Sequence, residues 1–185
     1  MTSSREFHAR RAMADLGLSL ATKADIVEGH AMARALLGPQ VASLATLERV
    51  QVRTRCALFS LRDRDGALIG ALSVIPLGLG AQLSLAKGRF DGLNPADDML
   101  ARPREPAVAF YGWGMAGLTA RARATVIAGA VRFQRDVYGH LPFYARAASS
   151  EGEHVLQDRM GARPLPGPGG LVFAAPWIAD QRRVA

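Results

Sequence analysis

The chain has 185 residues, 49% of them apolar, one cysteine and a net charge of +7. That length suits one ordinary domain with a sizeable core, and that composition excludes a disordered or collagen-like chain. No apolar run reaches the roughly 18 residues of a membrane span, and no apolar stretch follows the arginines of the N-terminus to make a signal peptide, so a soluble cytoplasmic protein is expected. Cys56 stands alone, which excludes an internal disulfide, and the four histidines have no zinc-ligand spacing; no metal is expected. Lys23 and Lys87 are the only lysines, so arginine carries the positive charge. Arginine grips phosphate bidentately, which suits a phosphorylated cofactor, an acidic carrier protein or nucleic acid. A genome that encodes arginine freely would give the same composition.

In chain order, residues 1–15 read as a polar tail or short helix. Leu16 to Ala21 alternates like a strand. Thr22 with Asp25 resembles a capping box and predicts a helix that Gly38-Pro39 ends. A second helix is expected from Gln40 to Val50. Arg55 to Arg62 and Ala67 to Ile75 read as two strands joined at Asp65-Gly66, with Pro76 closing the second. Residues 77–106 hold many glycines and prolines and read as an insertion or a substrate-side flap. Ala107 to Met115 reads as a buried strand. Thr119 can cap a long helix from Ala120 to Tyr138, with Val126, Ala130, Phe133 and Val137 on its buried stripe.

Leu141 to Ala148 is a further strand. Ser150 to Glu153 has the form of a capping box and opens a short helix that Gly161 ends. Arg163 to Gly170 reads as a loop, Leu171 to Ala175 as a last strand, and residues 177–185 as a tail. Tyr111 and Trp113 share a face of their strand and read as core. Gly112 and Gly114 between and beside them suit close approach by a ligand. Asp97 and Asp98 read as solvated loop carboxylates, and Cys56 as a small packed hydrophobe.

This order of elements resembles the GNAT (GCN5-related N-acetyltransferase) superfamily of acyl-CoA N-acyltransferases. Four stretches carry the resemblance: Leu18 to Asp25, the hairpin Arg62 to Ala71, the long helix beginning beside arginines, and Leu156 to Pro164. It covers Leu16 to Ala175 and implies one α/β (α+β) domain over residues 16–176, with a mixed sheet of six or seven strands flanked by about four helices. It implies acetyl-CoA or another acyl-CoA as co-substrate, an amine as acceptor, and no metal. An acyl carrier protein and a homodimer are further partners the resemblance admits; nucleic acid is not favoured.

The family binds the cofactor pyrophosphate through a Q/R-x-x-G-x-G/A pattern at the start of the long helix. The matching stretch is Arg121, Ala122, Arg123, Ala124, Thr125 and Val126, with Ala124 and Val126 where small residues are usual. By the same resemblance, backbone N–H groups of Met115, Gly117 and Leu118 would polarise the thioester carbonyl, and Ser150 would touch the cofactor. Glu105 is the candidate base. Gln157 occupies the place of the family's acidic tyrosine and cannot donate a proton as an acid. Tyr144 or Tyr111 is the substitute candidate. These departures leave three readings: an N-acyltransferase acting by direct attack, an inactive GNAT-like binding or assembly module, or a basic nucleic-acid-binding protein.

Overall fold

A computed structural model describes residues 4–166 and 170–177. Its centre is a seven-stranded sheet in the order β1-β2-β3-β4-β5-β7-β6. The strands are β1 (Leu18–Leu20), β2 (Leu58–Arg62), β3 (Leu68–Leu77), β4 (Ala109–Gly117), β5 (Phe143–Arg146), β6 (Arg163–Pro164) and β7 (Leu171–Ala174). Every neighbouring pair is antiparallel except β4 and β5, which run parallel. The helices are α1 (Ser4–Ala14), α2 (Lys23–Leu37), α3 (Leu44–Thr54), α4 (Gln82–Ala86), α5 (Ala120–Arg132) and α6 (Ser150–His154). The mixed α/β architecture is the expected one, with six helices among the described residues rather than about four. None of these is long and apolar enough to cross a membrane.

Each face of the sheet buries its own core. Met13 of α1 and Val126, Ala130 and Phe133 on the α5 side pack on Phe59, Leu72, Phe110 and Phe143. Ile26 of α2 and Val50 of α3 pack on the opposite face with Leu58, Ile75 and Tyr111. Period-two alternation explains the division, because Phe110 and Tyr111, or Phe143 and Tyr144, point to opposite faces.

Several element ends differ from the sequence reading, each for a local reason. The helix expected from Gln40 begins at Leu44, because Ser43 is the residue whose side chain accepts the Thr46 N–H. The strand expected from Arg55 begins at Leu58, because Arg55 takes the left-handed conformation (φ 60°) that ends α3. β3 continues through Pro76 to Leu77, in register with Phe110 and Ala109. The proline's missing N–H faces an edge that β2 has already left, where its carbonyl accepts from Ala101 N at 3.0 Å. Ser149, not Ser150, caps α6 by accepting the Gly152 N–H. β6 lies within the expected loop at 163–170, of which residues 167–169 fall outside the described residues, as does the expected tail beyond Trp177.

The segment 77–106 is built into the second core. Phe90 is buried, with its ring centroid 4.9 Å from that of Tyr111. Trp113 Nε1 donates to the carbonyl of Gly92. A Cβ on Gly92 would lie 2.7 Å from the Tyr111 hydroxyl, so the backbone there passes directly over that tyrosine.

Candidate functional site between two strands

β4 and β5 start as neighbours and then part. They pair from Phe110 opposite Phe143 to Gly112 opposite Ala145, and no further. On its other edge β4 bulges: Ser73 pairs with Gly114 and Val74 with Gly112, so Trp113 is the extra residue. Gly112 packs against β5, since a Cβ there would lie 2.9 Å from the Phe143 ring, whereas a Cβ on Gly114 would meet nothing within 4 Å. One glycine permits close strand packing; the other faces open space.

Two cavities meet at this gap. One, of about 330 Å³, lies on the α5 side and is lined by Gly117, Arg123, Val126, Ser149 and Val155. The other, of about 360 Å³, lies on the α2 side and is lined by Asp25, His30, Val41, Leu47 and Tyr111. Trp113, Gly114, Met115, Arg146 and Ala147 line both.

The α5-side cavity has a polar wall made of backbone. The Leu118 N–H donates to Ile69 O at 2.9 Å, so that amide belongs to the sheet. Alternation along an antiparallel ladder then turns the N–H groups of Met115 and Gly117 toward the other edge, where β5 has left. The link from β4 to α5 is Leu118 and Thr119 alone. Thr119 caps α5 by accepting the Ala122 N–H at 3.1 Å. The N–H groups of Thr119, Ala120 and Arg121 have no partner within the helix, and the helix dipole adds partial positive charge beside them. Gly117 lets this turn approach the strand, since a Cβ there would lie 2.6 Å from the Arg123 N.

The sequence-derived candidates separate on this frame. Met115, Gly117, Arg123 and Val126 line the α5-side cavity. Leu118, Arg121, Ala122, Ala124, Thr125 and Ser150 line neither cavity. The stretch 121–126 lies inside α5 rather than in a loop, and the side chains of Ala122 and Val126 are in the core. Glu105 also lines neither cavity; its Oε2 accepts the Arg102 N–H at 3.0 Å in a surface turn. Tyr144 packs on Phe173 at 5.2 Å between centroids, and burial raises its pKa.

Sequence reasoning missed His30 and Arg146. His30 lies four residues after the buried Ile26, so the two share a helix face. Arg146 lies two residues after Tyr144 on β5 and shares its strand face. In both cases a polar residue at an inward-facing position was the available signal. Gln157 Nε2 donates to Glu153 Oε1 at 3.1 Å, along the surface of its own helix. Among the described residues no group of three or more His, Cys, Asp or Glu side chains could hold a metal ion.

The chain is similar in fold to a solved structure described as histone acetyltransferase HPA2 and related acetyltransferase, from Corynebacterium glutamicum. The likeness covers 86% of this chain and 96% of that one, at 18% identity and a TM-score of 0.50. The fold is that of the GNAT acetyltransferases. A GNAT-family acetyltransferase from Listeria monocytogenes is similar over 84% of this chain and 91% of its own, at 13% identity and a TM-score of 0.44. Neither a protein-family model nor a curated protein sequence matches the chain. On this GNAT fold the parted strands are β4 and β5, and the helix whose first turn meets the cavity is α5.

Proposed function

We propose that the chain transfers an acyl group from an acyl-CoA thioester to an amine, the two substrates meeting in the gap between β4 and β5. The observation that carries this reading is the pair of cavities on opposite faces of the sheet with a shared wall at the gap. A thioester entering from the α5 side would place its phosphates at the first turn of α5. There the N–H groups of Thr119 to Arg121 and the Arg123 guanidinium donate to anionic oxygens. The Met115 and Gly117 N–H groups, facing the gap, would hold the thioester oxygen as negative charge develops on it.

The amine would come from the α2 side. Its nitrogen attacks the thioester carbon, a C–N bond forms, and the C–S bond breaks. His30 is the histidine on that cavity's wall and is assigned as acceptor of the ammonium proton. A thiol with an ordinary pKa near 8.5 leaves as the thiolate without a positioned acid, which makes glutamine at position 157 compatible with turnover.

Calorimetric titration with acetyl-CoA and a long-chain acyl-CoA tests the reading. Arg123→Ala is expected to weaken binding by about tenfold, the scale of one charge-assisted hydrogen bond. Arg121→Ala, at a side chain outside the cavity, is expected to stay within about twofold. Binding of neither thioester would favour the second reading, a GNAT-fold assembly module. That reading draws on the short link between β4 and α5, where two non-glycine residues leave little room for a phosphate loop.

A further inference from the structure

Arg146 is the last residue of β5, at the point where the strand leaves β4. Its neighbours in the strand fix its direction. Phe143 and Ala145 belong to the α5-side core, and Tyr144 packs with the other. Arg146 therefore projects toward the α2 side, where its charge acts on the Tyr111 hydroxyl. It lines both cavities. Its Nε is buried with no hydrogen-bond partner, and no carboxylate pairs with it among the described residues.

The acids near it on the α2 side are already engaged. Asp25, the carboxylate on that cavity's wall, holds Arg62 with one oxygen and Thr22 with the other. Asp91 also acts on the Tyr111 hydroxyl, but its Oδ1 accepts the Leu93 N–H at 2.8 Å. A guanidinium cannot shed its charge, and its buried N–H is costly while unpaired. Such a donor on a cavity wall fits an anion supplied from outside the chain. The rest of the wall is largely apolar, with Ile26, Val41, Leu47 and Leu58, and the volume of about 360 Å³ suits a small molecule.

We infer that the α2-side cavity takes a carboxylate-bearing amine, an amino acid with an apolar side chain, whose carboxylate is gripped by Arg146 while its nitrogen faces the gap. This rests on the acyl-transfer reading and adds the class of acceptor. The Tyr111 hydroxyl is a second donor to the carboxylate, and the apolar wall takes the side chain.

The test is direct binding of a product-like pair, N-acetyl-L-phenylalanine and its carboxamide, to the full chain without CoA, with acetyl-CoA titrated separately. The acid is expected to bind at least about tenfold more tightly than the amide, the scale of a charge-assisted pair. Arg146→Met keeps the stem and removes the charge, and should erase that difference. Arg146→Lys should keep part of it, because a point charge replaces the fork. In both variants acetyl-CoA affinity should fall by less than acid affinity.

Equal binding of acid and amide to the wild type, or binding of neither, would overturn the carboxylate assignment even if Arg146→Met failed to fold. Loss of acetyl-CoA affinity in Arg146→Met equal to its loss of acid affinity would move Arg146 to the donor side and overturn it as well. A wild type that binds neither acetyl-CoA nor a long-chain acyl-CoA would instead remove the acyl-transfer reading, and the acceptor role with it.

Discussion

At the scale of the residue, Asp25 joins the capping box of α2 to an arginine of the neighbouring hairpin. It is the third residue of α2, and its Oδ2 accepts from the Thr22 N–H at 2.7 Å and the Thr22 hydroxyl at 2.8 Å. Its Oδ1 accepts from Arg62 Nε at 2.8 Å, and the same guanidinium reaches Glu28 Oε1 at 2.9 Å. Helix α2 is thereby tied to the hairpin of β2 and β3. Burial pushes the Asp25 carboxyl upward, but the bonds from Thr22 and the charge of Arg62 outweigh it and hold the pKa below 3.8. A depressed folded-state pKa stabilises the fold above the unfolded value, and that contribution is lost as pH falls through the folded pKa. Asp25→Asn keeps the size and one acceptor but not the charge. At neutral pH it should lower stability by about 1–3 kcal/mol in urea unfolding. The gap between variant and wild type should begin to narrow below about pH 4, where the unfolded carboxyl protonates, and should close only at the lower pH where the folded wild-type carboxyl takes up its proton as well. A gap that persists unchanged into acid would show that the charge of Asp25 is not what stabilises this corner.

At the scale of the element, the site depends on how closely α5 sits on the end of β4. A Cβ on Gly117 would meet backbone atoms, 2.6 Å from Arg123 N and 2.9 Å from Ala122 C, so the first turn itself would have to move. Gly117→Ala should cost about 1–3 kcal/mol by overpacking and weaken acyl-CoA binding by displacing the free N–H groups. Gly114→Ala adds its methyl to open space at the gap. It should leave the unfolding free energy within about 0.5 kcal/mol of wild type while still reducing acyl-CoA binding. Equal stabilities for the two variants would contradict the close approach. The features that were legible in the sequence are local ones. Thr22 with Asp25, Asp65-Gly66 and Thr119 each specify a turn or a cap within four residues. Ser43 was legible as a cap, because neither Ala42 nor Leu44 offers a side-chain oxygen. The choice of Ser149 over Ser150 was not legible, because both offer the same hydroxyl and the backbone decided between them. Nor was the end of α3, where an arginine takes a conformation that sequence patterns assign to glycine or asparagine. The gap itself arises from contacts across 30 residues of chain, such as Gly112 against Phe143, which no short pattern encodes. The resemblance located the start of α5, and within the matched stretch the side chains of Ala122 and Val126 serve the core.

At the scale of the whole molecule, the sheet separates two cores, and the three tyrosines of the chain are shared between them. Tyr138 is buried on the α5 side, its ring stacked 5.1 Å from that of Phe110. Tyr111 and Tyr144 belong to the α2 side. Burial is the leading cause of the shift for all three: it raises Tyr144, pushes Tyr111 up to about 12 and lifts Tyr138 well above 10.0. Ionisation of tyrosine therefore reports on the integrity of both cores at once. The unfolded chain releases these protons first, so it binds fewer protons than the folded chain once pH passes the unfolded value near 10.0. Stability must then fall as pH rises further, the slope being set by that difference in bound protons. Ultraviolet difference titration of the native protein should show fewer than half of the tyrosines ionised at pH 10.0, against about half in urea. Tyr111→Phe should flatten the decline in stability between pH 10.0 and about 12, because that side chain no longer gains from unfolding. A native protein whose tyrosines all titrate with a midpoint near 10.0 would mean that neither core excludes water as described.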